Sequence, residues 1–434
     1  MTGPWLGVVA DDLTGACDVA DAVSEQGAAA IVVVGIPDRP PPACDCAVVA
    51  LKSRTAPPTR AVAESVAAAT WLAEAGCTSL YQKYCSTFDS TDEGNIGPVA
   101  DGLRDLVAER DDGRLPAVSV GTPATPRVGR TVYQGHLFVG RQLLSESPLR
   151  DHPLTPMRDA DLVRVLSRQT EAPVALVPWA TVVGGPDQIG DAIDAARRDG
   201  AAHILVDALT DEDLDTIAAA VLRMAGPRPV LGGGAGLGAA LVRARRATAP
   251  AGEGAARAVP AVPAGRRLIL SGSCSARTRE QVARFPGPHV ALSPMDLAAD
   301  FTRTVGAVLT AADAAFREGG DPVLVSSSAD PAEVARYECS LGPGHSAALV
   351  EGAIAEVASG AVAALGIRRL LVAGGETAGA VVGALGLTTL RVGPAVGPGL
   401  PWMVPDPGAR LALLLKSGNF GDPDLFTTAW QFCP

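Results

Sequence analysis

Aromatic residues are scarce in this 434-residue chain, with Phe, Trp and Tyr together at 4%, too few for a surface on which bases stack. Basic charge is short as well. Lys and Arg number 36 against 47 Asp and Glu, for a formal net charge of −11, the wrong sign for holding nucleic acid by phosphate neutralisation. Nucleic acid is therefore not an expected partner, and an anionic ligand must be gripped by local groups. The five histidines, His136, His152, His203, His289 and His345, form no H-x-x-x-H or H-E-x-x-H pattern. Among eight cysteines there is no C-x-x-C, and Cys44 and Cys46 are the closest couple, which favours reduced, buried thiols over a zinc site or redox pair. No protein-built metal site is expected. The opening MTGPWLGVVADDLTG has no basic stretch, and two aspartates follow its short apolar run. Neither a signal peptide nor a membrane span is read there, and a cytoplasmic protein that does not enter a membrane is the expectation. Also missing are G-x-x-x-x-G-K-[ST], the protein-kinase glycine loop, H-R-D and G-x-S-x-G, so a phosphate site must be of another design and a serine hydrolase is disfavoured.

What is present is apolar material. Hydrophobic residues make up 47% and charged residues 19%, enough to bury parallel strands. The length exceeds what one core supports, which implies at least two domains. Short apolar runs, each followed by an Ala-rich stretch of helical period, give a βα rhythm: LGVVADD, AAIVVVG, CAVVALKS, PAVSVG, VALVPW, HILVDAL, LILSGS, PVLVSSS, RLLVAGG and LALLLKSG. Residues 247–265, ATAPAGEGAARAVPAVPAG, lack periodicity and read as a linker. The expected fold is α/β, two α/β domains (1–246 and 266–434) with mainly parallel sheets and an interdomain active-site cleft. Ligands of such sheets bind beyond the carboxyl ends of the strands. Residues 122–157 break the rhythm with Pro, Gly and Arg and read as a lid or hairpin.

Polar residues gather at several strand ends. Asp11 and Asp12 end the first apolar run, where Thr14, Gly15 and Ala16 open a helix. One carboxylate there suits a helix cap, and the pair suits a base or metal ligand. Lys52, Ser53 and Arg54 close another strand. The loop KYCSTFDSTDEGNIG, from Lys83 to Gly97, combines a cation, the hydroxyls of Ser86, Thr87 and Thr91, and a turn into a helix. Such a loop can hold a carboxylate and hydroxyls together. In the C-terminal half Ser271–Ser275 (SGSCS), then Gly374, Gly375, Glu376 and Thr377, and finally KSGNFG from Lys416 each follow a strand. Hydroxyls and helix-opening amides of this kind fit phosphate. VLGGGAGLGAAL places Gly234, Gly236 and Ala239 in dinucleotide-like spacing. The acidic residue expected some 20 positions on would fall in the linker, so this stretch reads as helix–sheet packing.

The succession ADDLTGACD, LKSRT, KYCSTFDSTDEGNIG, PATPRVGRTVYQGHLFVG, DHPLTPM, SGSCSARTREQ, GGETAGAVVGALG, GPGLPW and KSGNFG resembles the four-carbon acid sugar kinases over nearly the whole chain. The resemblance implies an N-terminal sugar-acid domain and a C-terminal ATP domain, with transfer of the γ-phosphate to a terminal hydroxyl of a threonate, erythronate or 3-oxo-tetronate, and ATP with Mg²⁺ as cofactors. By position it assigns Ser273, Ser275, Gly374, Gly375, Glu376, Thr377, Gly418 and Asn419 to ATP. To the sugar acid it assigns Asp11, Asp12, Arg54, Lys83, Ser86, Thr87 and Arg130. In the expected mechanism Asp12 accepts the hydroxyl proton, Asp11 orients the substrate or a metal-bound water, and Lys83 and Arg54 hold the substrate carboxylate. A homo-oligomer is compatible with this reading. The competing expectations are an NAD(P)-dependent sugar-acid oxidoreductase, resting on the glycine run, and a non-catalytic sensor of sugar acid and nucleotide.

Overall fold

Each of the ten apolar runs forms a strand in the computed structural model, which describes residues 3–110, 116–152, 155–224, 228–248, 259 and 261–434. The chain divides into two compact units, Met1–Arg257 and Ala258–Pro434. Most of the stretch read as a linker, 249–258 and 260, lies outside the described residues.

Unit 1 contains β1 (Leu6–Ala10), β2 (Ala30–Val34), β3 (Cys46–Ala50), β4 (Ser79–Lys83), β5 (Ser119–Thr122), β6 (Arg130–Tyr133), β7 (His136–Val139), β8 (Gln142–Leu143), β9 (Val174–Val177), β10 (His203–Val206) and β11 (Val230–Gly233). Eight of these form a parallel sheet in the order β2-β3-β1-β4-β11-β5-β10-β9. A parallel sheet is covered on both faces, which is why its strands are continuous apolar runs rather than alternating ones. β1 and β3 are buried along their whole length. The core on one face joins Val9, Val33, Val49, Ala68, Leu72 and Leu103.

The segment that breaks the rhythm is an antiparallel sheet, β6-β7-β8. Its two-residue turn, Gln134-Gly135, has φ of +50° and +73°, the left-handed pair that matches the twist of a tight hairpin. The Asp207 carboxylate, fully buried, accepts from the backbone N–H of Gln134 at 2.7 Å, Gly135 at 2.9 Å and Trp179 at 2.9 Å. The expected hairpin is therefore present, tied to the segment after β10 by Asp207 and by the reciprocal backbone hydrogen bonds of Val132 and Ala208 at 2.9 and 3.0 Å.

The glycine run forms the start of the helix Ala235–Thr248, which packs on the helix Leu13–Glu25. A Cβ at Gly236 would lie 2.8 Å from Leu214 Cδ1, and one at Gly238 would lie 3.0 Å from Val19 Cγ2. These glycines are spent on close packing.

Unit 2 contains β12 (Arg266–Ser271), β13 (His289–Ala291), β14 (Val323–Ser326), β15 (Ile367–Ala373), β16 (Thr389–Ala395), β17 (Pro401–Pro405) and β18 (Ala412–Lys416). β13-β14-β12-β15-β18 run parallel, and β17 and β16 continue antiparallel. Its core centres on Leu324, Leu371, Trp402, Leu414 and Phe426. The helix His345–Ala364 is long and apolar enough to cross a membrane by length and composition alone. It buries Val350, Ala353, Ile354, Val357, Ala358 and Ala361 and packs that face on the helices Phe301–Arg317 and Gly375–Ala384.

Candidate functional site

Strand order gathers the polar ends of unit 1. Ala10 at the end of β1 pairs with Ala50 of β3 on one side and with Lys83 of β4 on the other. Asp11 and Asp12, Ser53 and Arg54, and the loop from Lys83 therefore share one rim. The helix Ile96–Arg110 begins at the end of that loop.

Arg54 is the hub. Its Nε and Nη2 donate to the two Asp11 oxygens at 2.9 and 2.8 Å, a bidentate fork. Nη1 lies 3.1 Å from Asp12 Oδ2 and 3.5 Å from Asp89 Oδ2. Asn95 Nδ2 donates to the carbonyls of Ser53 at 2.7 Å, Arg54 at 3.3 Å and Ala56 at 2.8 Å, fixing the backbone that carries the hub.

Asp12 caps the helix Leu13–Glu25, accepting from the Gly15 N–H at 2.6 Å and the Thr14 hydroxyl at 2.9 Å. Burial pushes its carboxyl up, but Arg54, Lys83 and these hydrogen bonds outweigh burial and hold it below the usual carboxylate range. Lys83 is buried, donates to the Tyr84 carbonyl at 2.9 Å, and lies 3.6 Å from Asp18 Oδ2. Burial raises Asp18 despite the opposing Lys83 charge, and it raises Asp89 despite Arg54. Asp89 also accepts from the Thr155 hydroxyl, whose oxygen lies 3.0 Å from His152 Nδ1. Ser86 and Thr87 are buried, and Cys85 Sγ lies 3.0 Å from Thr87 Oγ1. Burial pushes the Cys85 thiol up, against the lowering effect of Arg54.

Arg130, at the start of β6, differs from the other cations. Its guanidinium donates to the Val128 carbonyl, its buried Nε has no partner, and among the described residues no carboxylate pairs with it. Burial lowers it while the fields of Cys85 and Asp18 oppose the shift, which places it within electrostatic reach of the same cluster. The structure thus brings together Asp11, Asp12, Arg54 and Lys83 through direct contacts, while Arg130 is linked to the cluster only through the fields of Cys85 and Asp18. Arg54 is engaged by Asp11, Asp12 and Asp89, whereas among the described residues no carboxylate pairs with Arg130. Sequence reasoning missed Asp18, Asp89, Asn95 and Thr155; Asn95 was visible only as the helix-opening residue of NIG.

In unit 2 the neighbouring order β12-β15-β18 collects three loops. The Ser273 N–H donates to the Ala373 carbonyl at 3.2 Å, and the Gly374 N–H to the Lys416 carbonyl at 2.9 Å. Ser275 caps the helix Ala276–Arg284, accepting from the Thr278 N–H at 3.2 Å, and its hydroxyl donates to the Gly418 carbonyl at 2.6 Å. A Cβ on Gly418 would meet Ser273 Oγ at 2.7 Å. Gly374 has φ +129°, and a Cβ there would meet Thr377 Oγ1 at 2.8 Å. Gly375, Glu376 and Thr377 form the first turn of the helix Gly375–Ala384, whose N–H groups have no partners within the helix. Asn419 sits in the turn after β18. Hydroxyls and two helix N-termini converge here, a chemistry suited to a chain of phosphates.

Comparison with known proteins places both units. A sugar-binding N-terminal domain model matches residues 6–241, and a nucleotide-binding C-terminal domain model matches residues 268–426. The chain is 43% identical over 98% of its length to a 3-oxo-tetronate kinase of Cupriavidus necator, covering 96% of that protein. It is 38% identical to a 3-oxo-tetronate kinase of Salmonella typhimurium, covering 98% of each chain. A Salmonella typhimurium LT2 protein of known crystal structure superposes with a TM-score of 0.82 at 35% identity over 99% of both chains. A Haemophilus influenzae protein does so with a TM-score of 0.74 at 33% identity over 98% of this chain and 99% of its own.

Proposed function

Starting from a chain that belongs to the four-carbon acid sugar kinase family, we propose that it phosphorylates a terminal hydroxyl of 3-oxo-tetronate with ATP. The observation that carries the reading is the set of three interlocked hydroxyl- and amide-bearing loops of unit 2, in a chain 43% identical to a 3-oxo-tetronate kinase. Phosphoryl transfer asks for alignment and charge stabilisation more than for covalent chemistry. Ser273, Ser275, Gly374–Thr377, Gly418 and Asn419 hold the nucleotide. Arg130 takes the substrate carboxylate, because among the described residues no carboxylate pairs with its guanidinium whereas Arg54 is engaged by Asp11, and Ser86, Thr87 and Lys83 contact the hydroxyl side. Asp12 accepts the hydroxyl proton. Asp11 and Arg54 keep that carboxylate in place. A cytoplasmic location belongs to the same reading.

Mg²⁺ fits this chemistry as an ion carried by the triphosphate. Among the described residues no three acids, cysteines or histidines form a cation cage, and Mg²⁺ keeps several waters when it binds with nucleotide. Glu376, in the first turn of the Gly375–Ala384 helix, is the acid of these loops that would help hold it. Bound there, the ion supplies neutralisation of phosphate charge.

A coupled ADP-release assay over four- and five-carbon sugar acids tests the reading. The highest kcat/KM is expected with 3-oxo-tetronate, with the phosphate ester on the terminal hydroxyl by ³¹P NMR. ADP release with none of these acids would overturn it. Oxidation of NADH by a keto acid would revive the oxidoreductase, which the packed glycines of Ala235–Thr248 disfavour.

A further inference from the structure

Lys416 ends β18 and is fully buried. Buried lysines are rare unless paired with an acid, yet among the described residues no carboxylate pairs with this one. Its Nζ donates to Thr278 Oγ1 at 2.9 Å and to the Gly418 carbonyl at 3.0 Å. The same carbonyl accepts from Ser275 Oγ at 2.6 Å and from Thr278 Oγ1 at 2.8 Å. An ammonium has three donors, and two are used. The amine thus lies under the first turn of the helix Ala276–Arg284, where the helix end is itself positive. It cross-links that turn to the loop bearing Gly418 and Asn419.

Among the described residues, the charged groups of the surrounding elements form no ion pair with Lys416. The helix Ala276–Arg284 carries Arg277, Arg279, Glu280 and Arg284, and Glu280 is engaged by Arg277 at 3.0 Å and by Arg284 at 2.9 Å. β15 carries Arg368 and Arg369, and β17 carries no charge. The helix Gly375–Ala384 contributes Glu376, and the loop after β18 contributes Asp422 and Asp424, the latter 3.6 Å from Arg284 Nη1; among the described residues none of these three acids forms an ion pair with Lys416. Burial, with Arg277 adding to it, brings the Lys416 ammonium down to about 7.

We propose that Lys416 is a positioning residue of the nucleotide loops whose counter-charge is the bound phosphate chain, so that nucleotide binding draws a proton from solvent onto Nζ. The protonated amine then holds the Gly418 carbonyl and the Thr278 hydroxyl with full donor strength, and the phosphates complete the charge balance that the protein leaves open. This inference rests on the kinase reading and adds a proton linkage to it.

Calorimetric titration of the full chain with ADP, in phosphate-free buffers of differing ionisation enthalpy, measures that proton. With a free amine near 7, uptake of up to about 0.9 proton per ADP is expected at pH 8, and the Kd should weaken about fivefold from pH 7 to pH 8. Lys416→Met should abolish the uptake, flatten the pH dependence and weaken ADP about tenfold or more. A wild-type protein that binds ADP with no proton uptake and a flat Kd would overturn the proposal without any need for the variant. Uptake undiminished in a folded Lys416→Met protein would overturn it as well. Absence of any ADP binding would instead sink the kinase reading, and this inference with it.

Discussion

Asp12 does two jobs with one carboxylate, since it caps the helix Leu13–Glu25 and faces Arg54. Asn is as good a cap as Asp, so Asp12→Asn removes the charge while leaving an oxygen for the Gly15 N–H. Turnover is expected to fall at least about 100-fold, with the KM for ATP changed by less than about threefold. Steady-state kinetics decides, and near-normal kcat would remove Asp12 from the role of base. Because Arg54 and Lys83 depress this carboxyl, its stabilising contribution is present above the unfolded pKa of about 3.9 and is lost as pH falls through the folded value. An acid limb of activity between pH 5 and 7 would therefore belong to another group. At this scale the sequence displayed the reactive residue types but not their partners. Asp11, Arg54 and Asp89 are separated along the chain by 43 and 35 positions, and their meeting depends on the β3-β1-β4 order, which no local pattern encodes.

The strands that could be read from the chain were those following the apolar rule of a sheet covered on both faces. β4 escaped because Ser79, Gln82 and Lys83 are polar, although all three are buried in the sheet. Gln82 donates to the Ile96 carbonyl at 3.0 Å and Lys83 to Tyr84, which removes the penalty that polarity implied. β16 and β17 escaped because Pro and Gly punctuate them and they pair antiparallel. The hairpin β6–β7 was legible from its Gly and Arg content, but its anchor was not. Asp207 Oδ2 accepts from two backbone N–H groups and Oδ1 from a third. Asp207→Asn turns an NH₂ toward donors and strands at least one of them, costing about 1–3 kcal/mol. Thermal unfolding should shift down by several degrees, and since β6 begins with Arg130, the KM for the sugar acid should rise more than the KM for ATP. An equal rise in both would separate the hairpin from sugar-acid binding.

Two units with separate cores, one around Val49 and Leu72 and the other around Leu371 and Trp402, follow from a length that the sequence already marked as too great for one core. The βα rhythm gave the architecture. The position of the connection rested on composition alone. Two cores predict that scanning calorimetry resolves two unfolding transitions. ADP at about 100 times its Kd should stabilise one by about 2.7 kcal/mol, and the sugar acid should move the other. A single transition shifted equally by both ligands would show that the units unfold together. Each proposed binding region also contains its own sulfur atom, Cys85 beside the Arg54 cluster and Cys274 within the Ser271–Ser275 loop, while Cys339 lies exposed on the helix Pro331–Leu341. Alkylation followed by peptide mass spectrometry then becomes an occupancy meter: nucleotide should slow labelling of Cys274 against the rate set by exposed Cys339, while Cys85, which burial keeps as the neutral thiol, should label slowly and be slowed further by the sugar acid.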